Sequence, residues 1–400
     1  MLRSSLGFHT LTLSYPLFFK GAQYLISDFK RYSKETGAIQ MYEDHGNTRI
    51  KFLNRAEGIE WLIRYGVYLQ NFRIAVDIVE VTINPKILGG IHDYITAATY
   101  DDMDAAIANF NRISSSISPE LGMFEQYSLK RIDYCVNFAL NELAPGCTYD
   151  QMMKLIKQSD IPPHYKEWKE YDDTSHRMKS RPGSFYLTNG SVHINCYSKY
   201  MKYQDQSQKN IERGYPPIPQ ATTDAAQDII RFEVQCKYLK TYILSNKARK
   251  AGDNNPNKYE SLLSRVSCID MIDKYWGKTI GSGDWYTLQE ASCIIHSHHF
   301  HSQKEERLNK ALKLVNDCRS VVRAKAAYQG SDLDAFKRTL NDLSSLRINP
   351  VTIPREWGIK HIPNLLYAYS DKVLEEHINK QWEEEFILNY KKYAEDMRAI

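Results

Sequence analysis

Three segments of this chain alternate polar and apolar residues with period two, and all in the same sense. In Leu129-Lys-Arg-Ile-Asp-Tyr-Cys-Val-Asn-Phe138, Arg131, Asp133, Cys135 and Asn137 fall on one side, and Ile132, Tyr134, Val136 and Phe138 on the other. In Ser191-Val-His-Ile-Asn-Cys-Tyr-Ser-Lys199, His193, Asn195 and Tyr197 oppose Val192, Ile194 and Cys196. In Ile229-Ile-Arg-Phe-Glu-Val-Gln-Cys-Lys237, Arg231, Glu233 and Gln235 oppose Ile230, Phe232, Val234 and Cys236. Only an extended strand separates alternate side chains in this way. The chain must therefore build a sheet with one apolar face, and something must cover that face. Asn189-Gly190 lies between two further alternating runs, Ser184–Thr188 and Ser191–Tyr197, and predicts a hairpin closed by a type I′ turn.

Helical patterns supply the cover. Met103–Ile113 and Tyr149–Gln158 read as helices, while Thr48–Leu53 and Phe72–Ile83 read as further strands. Strands interrupted by helices and hairpins give an α+β fold: an antiparallel sheet packed on helices. Gln204–Gln227 is polar and contains Gly214-Tyr-Pro-Pro-Ile-Pro219, which predicts a surface loop. Gly252-Asp-Asn-Asn-Pro256 reads as a linker, so an α+β domain over 1–251 is followed by a mainly helical domain over 258–400. Within the latter, Thr287-Leu-Gln-Glu290 matches a capping box. Helices are predicted over Gln303–Tyr328, Leu333–Leu346 and Leu374–Met397, with a helix-turn-helix or winged-helix unit within Trp285–Tyr328.

Composition narrows the classes of function. Of 400 residues, 42% are hydrophobic and 25% charged, which excludes a disordered, collagen-like or coiled-coil chain. No apolar run approaches the roughly 20 residues that span a bilayer, and the N-terminus lacks a signal-peptide core. Seven cysteines with no CxxC pair argue against a disulfide framework or zinc ribbon and suggest reduced thiols in a cytoplasm. The net charge of +4 is too small to indicate nucleic-acid binding by itself.

If the three amphipathic strands are neighbours, their polar face gathers Asp133, His193, Asn195, Tyr197, Arg231, Glu233 and Gln235. Asp, Glu and His are oxygen and nitrogen ligands of the kind that hold Mg²⁺ or Mn²⁺. A tyrosine beside such a metal points to phosphoryl transfer, with a phenolate as nucleophile. Tyrosine ionises near pH 10 in water, so Lys199 and Arg231 are candidates to assist it or to stabilise charge on the phosphorus. The competing reading is an ordinary solvated sheet face, which carries the same residue types.

Arg131-Ile-Asp133, Tyr197-Ser-Lys199, and Arg231-Phe-Glu233 followed by Lys237-Tyr-Leu-Lys240 resemble, in order and spacing, the gene II/gene X type replication initiators of filamentous phages and related phage or plasmid elements. The resemblance covers about residues 129–244. It implies a rolling-circle initiator on a ferredoxin-like nickase sheet, acting on double- and single-stranded DNA at a replication origin. Such an enzyme cuts one strand by tyrosine attack, keeps a 5′-phosphotyrosine link, frees a 3′-OH for a host polymerase, and rejoins the displaced strand. A host helicase is a further implied partner. Carried across, Tyr197 is the nucleophile, Lys199 and Arg231 neutralise phosphate charge, and Asp133, Glu233 and His193 are metal ligands for Mg²⁺ or Mn²⁺. Arg131, Lys237 and Lys240 are expected DNA contacts. The wider nickase superfamily has His-hydrophobe-His where this chain has His193-Ile-Asn195, which leaves the ligand set open.

A literal His299-Phe-His301 lies instead between two helical patterns, where it reads as an interhelical turn. Tyr200 is a possible second tyrosine if a helix starts near Tyr197. Arg307 and Lys310 belong to a basic helix face that either tracks duplex phosphates or is simply solvated. Two alternatives remain: a conjugative relaxase with the same chemistry, or a non-catalytic sequence-specific DNA-binding regulator. The latter is disfavoured by the scarcity of stacking aromatics on the predicted face.

Overall fold

The computed structural model describes residues 3–17, 21–43, 49–54, 56–69, 74–91, 93, 95–172, 177–179, 183–212, 216–253, 259–328, 333–378 and 380–381. The chain forms two compact units. One comprises Ser5–Asn137 with Ile161–Tyr275; the other comprises Met1–Ser4, Phe138–Asp160 and Trp276–Ile400. This differs from a single division at 251–258. The segment after the linker packs back on the sheet unit, where the Tyr134 hydroxyl donates to the Leu262 carbonyl (2.9 Å) and the Tyr259 hydroxyl to that of Tyr127 (3.2 Å).

The sheet unit opens with β1 (Ser5–Leu17) and α1 (Gly21–Thr36). A meander follows: β2 (Gln40–Glu43), β3 (Arg49–Asn54), β4 (Ile59–Leu69) and β5 (Ile74–Ile83). Then come α2 (Pro85–Leu88), α3 (Met103–Ile117) and β6 (Ser128–Ala139). α4 (Leu140–Leu143) and α5 (Tyr149–Lys157) belong to the other unit. The chain returns through β7 (Lys166–Glu167), a small ribbon of β8 (Glu170–Asp172) and β9 (Arg177–Lys179), and the hairpin β10 (Ser184–Thr188) and β11 (Val192–Ser198). α6 (Lys199–Glu212), α7 (Gln220–Ala225), β12 (Ile229–Cys236), α8 (Tyr238–Lys250), α9 (Glu260–Leu263) and α10 (Arg265–Thr279) complete the series. The main sheet has ten strands in the order β2-β3-β4-β5-β1-β6-β12-β11-β10-β7. The antiparallel register sets Asn195 opposite Glu233 and Tyr197 opposite Arg231.

The apolar face is the core. Leu11, Phe52, Trp61, Val81, Ile132, Phe232 and Ile194 are fully buried. Leu25 and Phe29 of α1 are buried too, and Phe29 stacks on Phe52 at 4.1 Å and leans on Trp61 at 5.3 Å. Phe110 of α3 meets Phe124 and Tyr127 edge-on, both at 5.3 Å.

The α+β class, the antiparallel sheet on helices and the mainly helical C-terminal region agree with the sequence reading. Several details do not. The hairpin at Asn189-Gly190 forms, but neither residue takes a positive φ, so the turn is not type I′. Asn189 Oδ1 instead accepts from the backbone N–H of Ser191 (2.9 Å) and Val192 (2.7 Å), and this side-chain turn removes the need for left-handed backbone. Most of 204–227 is helical, as α6 and α7. Polar side chains hold α6 to the proline-rich return: Asn210 Nδ2 donates to the Pro216 carbonyl (3.2 Å), and the Ile218 N–H donates to Ser207 Oγ (3.0 Å).

In the other unit, α11 (Leu288–Ser297) is capped by Thr287, whose Oγ1 accepts from the Glu290 N–H at 3.3 Å. The reciprocal half of the box is absent, because the Glu290 carboxylate pairs with Lys360 (3.1 Å). The helix predicted over 303–328 is two helices, α12 (Ser302–Cys318) and α13 (Val321–Ala327), split where Arg319 takes φ 48°. α14 (Leu333–Ser345) follows, and β13 (Trp285–Tyr286) pairs with β14 (His361–Ile362). The predicted terminal helix falls largely on residues 382–400, outside the described residues.

Truncating Phe29 to alanine empties a slot between two buried rings. Phe29→Ala is predicted to cost about 3–5 kcal/mol in urea unfolding. A loss below about 1 kcal/mol would show that α1 does not seal the sheet.

Candidate active site

The polar face behaves in two ways. Over β3, β4 and β5 it is solvated, with partly exposed pairs Lys51–Glu60 (2.8 Å) and Arg64–Glu80 (3.0 Å). Over β6, β12 and β11 it is buried: Asp133 is 1% exposed, Arg231 1%, Glu233 4% and Asn195 9%. Part of the cover is the segment around Ile95, whose carbonyl accepts from Asn137 Nδ2 (2.8 Å) and Lys199 Nζ (3.1 Å). Gly7 permits the close approach, since a Cβ there would lie 2.0 Å from the Ala98 carbonyl oxygen. Burying several charges together is costly, and sheets do not need it for stability. The solvated-face reading therefore holds for the outer strands and fails for the central ones.

Glu233 is the hub. Its Oε1 accepts from Gln235 Nε2 (2.7 Å) and Asn195 Nδ2 (3.4 Å). Its Oε2 accepts from the Tyr197 hydroxyl at 3.4 Å and lies 3.9 Å from His9 Nδ1. Burial first, and then the Glu233 charge, push the Tyr197 phenol well above its ordinary pKa, against a lowering by Arg231. The phenol is neutral at rest, with its hydroxyl facing the Glu233 carboxylate.

Asp133 sits beside this hub with both oxygens held by Arg131; Nε donates to Oδ1 at 2.7 Å and Nη2 to Oδ2. Burial pushes its carboxyl up to about 7; the Arg131 hydrogen bond opposes this and the Glu233 charge adds to it. Arg131 is itself 37% exposed, so its guanidinium lies at the surface of the site.

His9 enters through a β-bulge. In β1, Phe8 pairs with Tyr134 and Thr10 with Asp133, leaving His9 as the extra residue. The bulge puts His9 and Thr10 together on an open cleft of about 810 Å³, with Arg131, Asp133, Asn195, Tyr197 and Glu233. Partial burial, then the charges of Arg231, Lys199, Arg131 and Lys202, hold its imidazole well below its usual pKa.

The other predicted residues are placed differently. Arg231 is buried, with Nε donating to Asn137 Oδ1 (2.8 Å) and Nη2 enclosed without an acceptor among the described residues. Lys199, 2% exposed, donates to the Ile95 carbonyl. Burial, followed by the Arg231 charge, holds its pKa well below the ordinary lysine value. Neither side chain lines the cleft, and both lie beneath its surface. His193 has its Nδ1 engaged by the Tyr186 hydroxyl (2.7 Å) and Gln235 Oε1 (3.3 Å). Lys237 binds the Asn189 carbonyl (3.2 Å), and Lys240 sits on α8. Tyr200 lies on the first turn of α6, which starts at Lys199. Arg307 and Lys310 belong to α12 of the other unit, paired with Asp342 (2.7 Å) and Glu306 (2.7 Å). His299 and His301 sit in the turn between α11 and α12, and no strand carries them.

Among the described residues, no group of three or more His, Cys, Asp and Glu is arranged to hold a metal ion. A mixed set comes nearer. Glu233, His9 and the Asn195 amide adjoin, and Asn195 Oδ1 is buried with no donor among the described residues. A cation there would satisfy that orphan oxygen, and one carboxylate, one amide oxygen and one imidazole suit Mg²⁺ or Mn²⁺. The two carboxylate oxygens of Asp133 are already bound by Arg131.

Sequence reasoning missed His9, Tyr186 and Lys202. The signal for β1 was present, since Thr10, Thr12 and Ser14 alternate with Leu11 and Leu13. A bulge cannot be read from alternation, because it breaks the period at the residue in question.

No family model matches this chain, and no curated protein matches it. One solved structure similar to it is described as the structure of a rolling circle replication initiator protein from Geobacillus stearothermophilus. That likeness covers 62% of this chain and 80% of the other at 8% identity, with a TM-score of 0.27.

The raised Asp133 pKa has a sign that can be tested in the presence of a chelator. Its folded value, about 7, lies above the roughly 3.9 of an unfolded aspartate. Between these values the native state binds more protons, so this carboxyl contributes stability at low pH that is lost as pH rises from about 4 through 7. Asp133→Asn is predicted to flatten that part of the urea stability profile. An unchanged slope between pH 4.5 and 7.5 would contradict the assignment.

Proposed function

We propose that this chain is a rolling-circle replication initiator that cuts and rejoins one DNA strand with Tyr197 as nucleophile. The observation that carries the reading is the Tyr197 hydroxyl donating to a buried Glu233 at the edge of an open cleft, with Asp133 and Arg131 beside it.

In the proposed cleavage, Tyr197 Oη attacks the phosphorus of a phosphodiester lying in the cleft. Glu233 Oε2 receives the phenol proton as the new O–P bond forms, because free ionisation is opposed by burial and by the carboxylate itself. The bond from phosphorus to the 3′-oxygen breaks and that oxygen takes a proton from solvent in the open cleft, leaving a 5′-phosphotyrosine and a 3′-OH that a polymerase can extend. Rejoining is the reverse: a 3′-OH attacks the phosphotyrosine and gives up its proton to solvent, the bond from phosphorus to Tyr197 Oη breaks, and Glu233 returns the proton to Tyr197. Arg131, at the cleft surface, can transfer one or both of its hydrogen bonds from Asp133 to the phosphate oxygens. Asp133, protonating near neutrality, tolerates losing that partner. Arg231 places buried positive charge beneath the site, where it favours charge developing on the attacked phosphate, and Lys199 adds to it when protonated. Mg²⁺ or Mn²⁺, held by Glu233, Asn195 and His9, would polarise the scissile phosphate.

Tyr197→Phe removes only the hydroxyl. It is predicted to abolish nicking of supercoiled origin DNA and the covalent protein–DNA adduct while leaving DNA binding essentially intact. Glu233→Gln, which cannot take the proton, should slow nicking by roughly 10²- to 10⁴-fold. Chelation should stop the reaction, and Mg²⁺ or Mn²⁺ should restore it. Nicking by the Tyr197→Phe protein at the wild-type rate would refute the reading.

A further inference from the structure

Beyond the residues of the proposed chemistry, the cleft is lined by Trp168 and Tyr186. Trp168 follows β7, and its backbone N–H donates to the Tyr186 carbonyl at 3.0 Å, so it extends the sheet by one residue beside β10. Leu187 pairs with Glu167, and Tyr186 pairs with Asn195, which pairs with Glu233. One row therefore crosses the polar face: Trp168, Tyr186, Asn195, Glu233. The Trp168 and Tyr186 rings meet edge-on at 5.5 Å and 61°, and Tyr186 leans on His193 at 5.4 Å. The Tyr186 hydroxyl is tied to His193 Nδ1, so the middle ring is anchored at its hydroxyl end. Trp168 is 42% exposed, although its neighbours on the row are buried or half-buried.

The charges around the cleft favour a stacked ligand over a purely ionic one. Arg131 is paired with Asp133, and Lys209 with Asp205 at 2.8 Å. That leaves Lys202 and Glu233, of opposite sign, among the cleft residues. Phosphate attraction alone is weak where cations are matched by carboxylates, whereas an indole gains affinity from the π-face of any base. Trp168 also stands two strand spacings, roughly 10 Å, from the strand carrying Tyr197. That is the reach of a short run of nucleotides.

We infer that Trp168, braced by Tyr186, is a stacking platform for an unpaired nucleobase flanking the phosphate held at Tyr197. The inference rests on the proposed function for the position of that phosphate, but its ligand class, single-stranded nucleic acid, is testable without catalysis. The platform also supplies the exposed-face aromatics that the three amphipathic segments alone did not offer.

The test uses the full chain in chelator, where no cutting occurs, and a fluorescent single-stranded oligothymidylate followed by anisotropy. Trp168→Ala should weaken binding roughly tenfold or more, and Trp168→Phe, which keeps a ring, should recover most of it. An abasic oligonucleotide should bind wild type and Trp168→Ala equally weakly. Matching thermal unfolding curves would show that the variants are folded. If Trp168→Ala binds the oligonucleotide as wild type does, or if the phenylalanine variant is no better than alanine, the platform is refuted. The two proposals fail separately. A Trp168-dependent affinity with no covalent adduct at Tyr197 would sink the initiator reading and leave a single-strand reader. An adduct with Trp168-independent affinity would sink the platform and leave the initiator.

Discussion

The site depends on one buried carboxylate that, among the described residues, is paired with no lysine or arginine. Glu233 is 4% exposed and is held by neutral donors: Gln235, Asn195 and the Tyr197 phenol. A charge in that position is costly unless it is compensated, and the compensation comes from buried Arg231 and from whatever enters the cleft. The cluster is consequently charged and largely buried where it opens on the cleft. Asp133 follows from the same constraint: packed close to Glu233 and deep in the protein, it protonates near pH 7 despite a bidentate arginine.

The fold keeps this cluster out of water by covering both faces of the sheet at its centre. One face is closed by α1 and α3 through aromatic packing. The other is covered by backbone: Gly7 lets the Ala98 carbonyl approach β1, and the Ile95 carbonyl accepts from Asn137 and Lys199. The bulge at His9 bends the register next to Asp133 and delivers an imidazole and a hydroxyl to the same side. A ten-stranded sheet gives this arrangement a rigid base, with its outer strands free to carry ordinary surface salt bridges.

The parts legible in the sequence were those encoded by local period. The alternation of β6, β11 and β12 gave both the strands and the shared polar face, since a one-residue slip would have exposed the apolar side. It placed Asp133, Tyr197 and Glu233 on one face, and all three line one cleft. What it could not give was depth. Arg231 and Lys199 look like cleft cations in sequence, yet both lie below the surface, because their burial depends on the segment near Ile95 and on α6. α6 itself was hidden by its composition, since its contacts to the proline-rich return are polar and leave no apolar stripe to read. His9 and Trp168 reach the site through a bulge and a strand extension, which are products of tertiary pairing.

The most direct measurement is to trap the reaction on a single-stranded origin fragment in Mn²⁺, digest the protein, and locate the nucleotide-bearing peptide by mass spectrometry. The account predicts a phosphodiester on the phenolic oxygen of Tyr197, joined to the 5′ end of the cut strand. A nucleotide on Tyr200, Tyr203 or any other residue, or cleavage with no covalent protein intermediate, would contradict it.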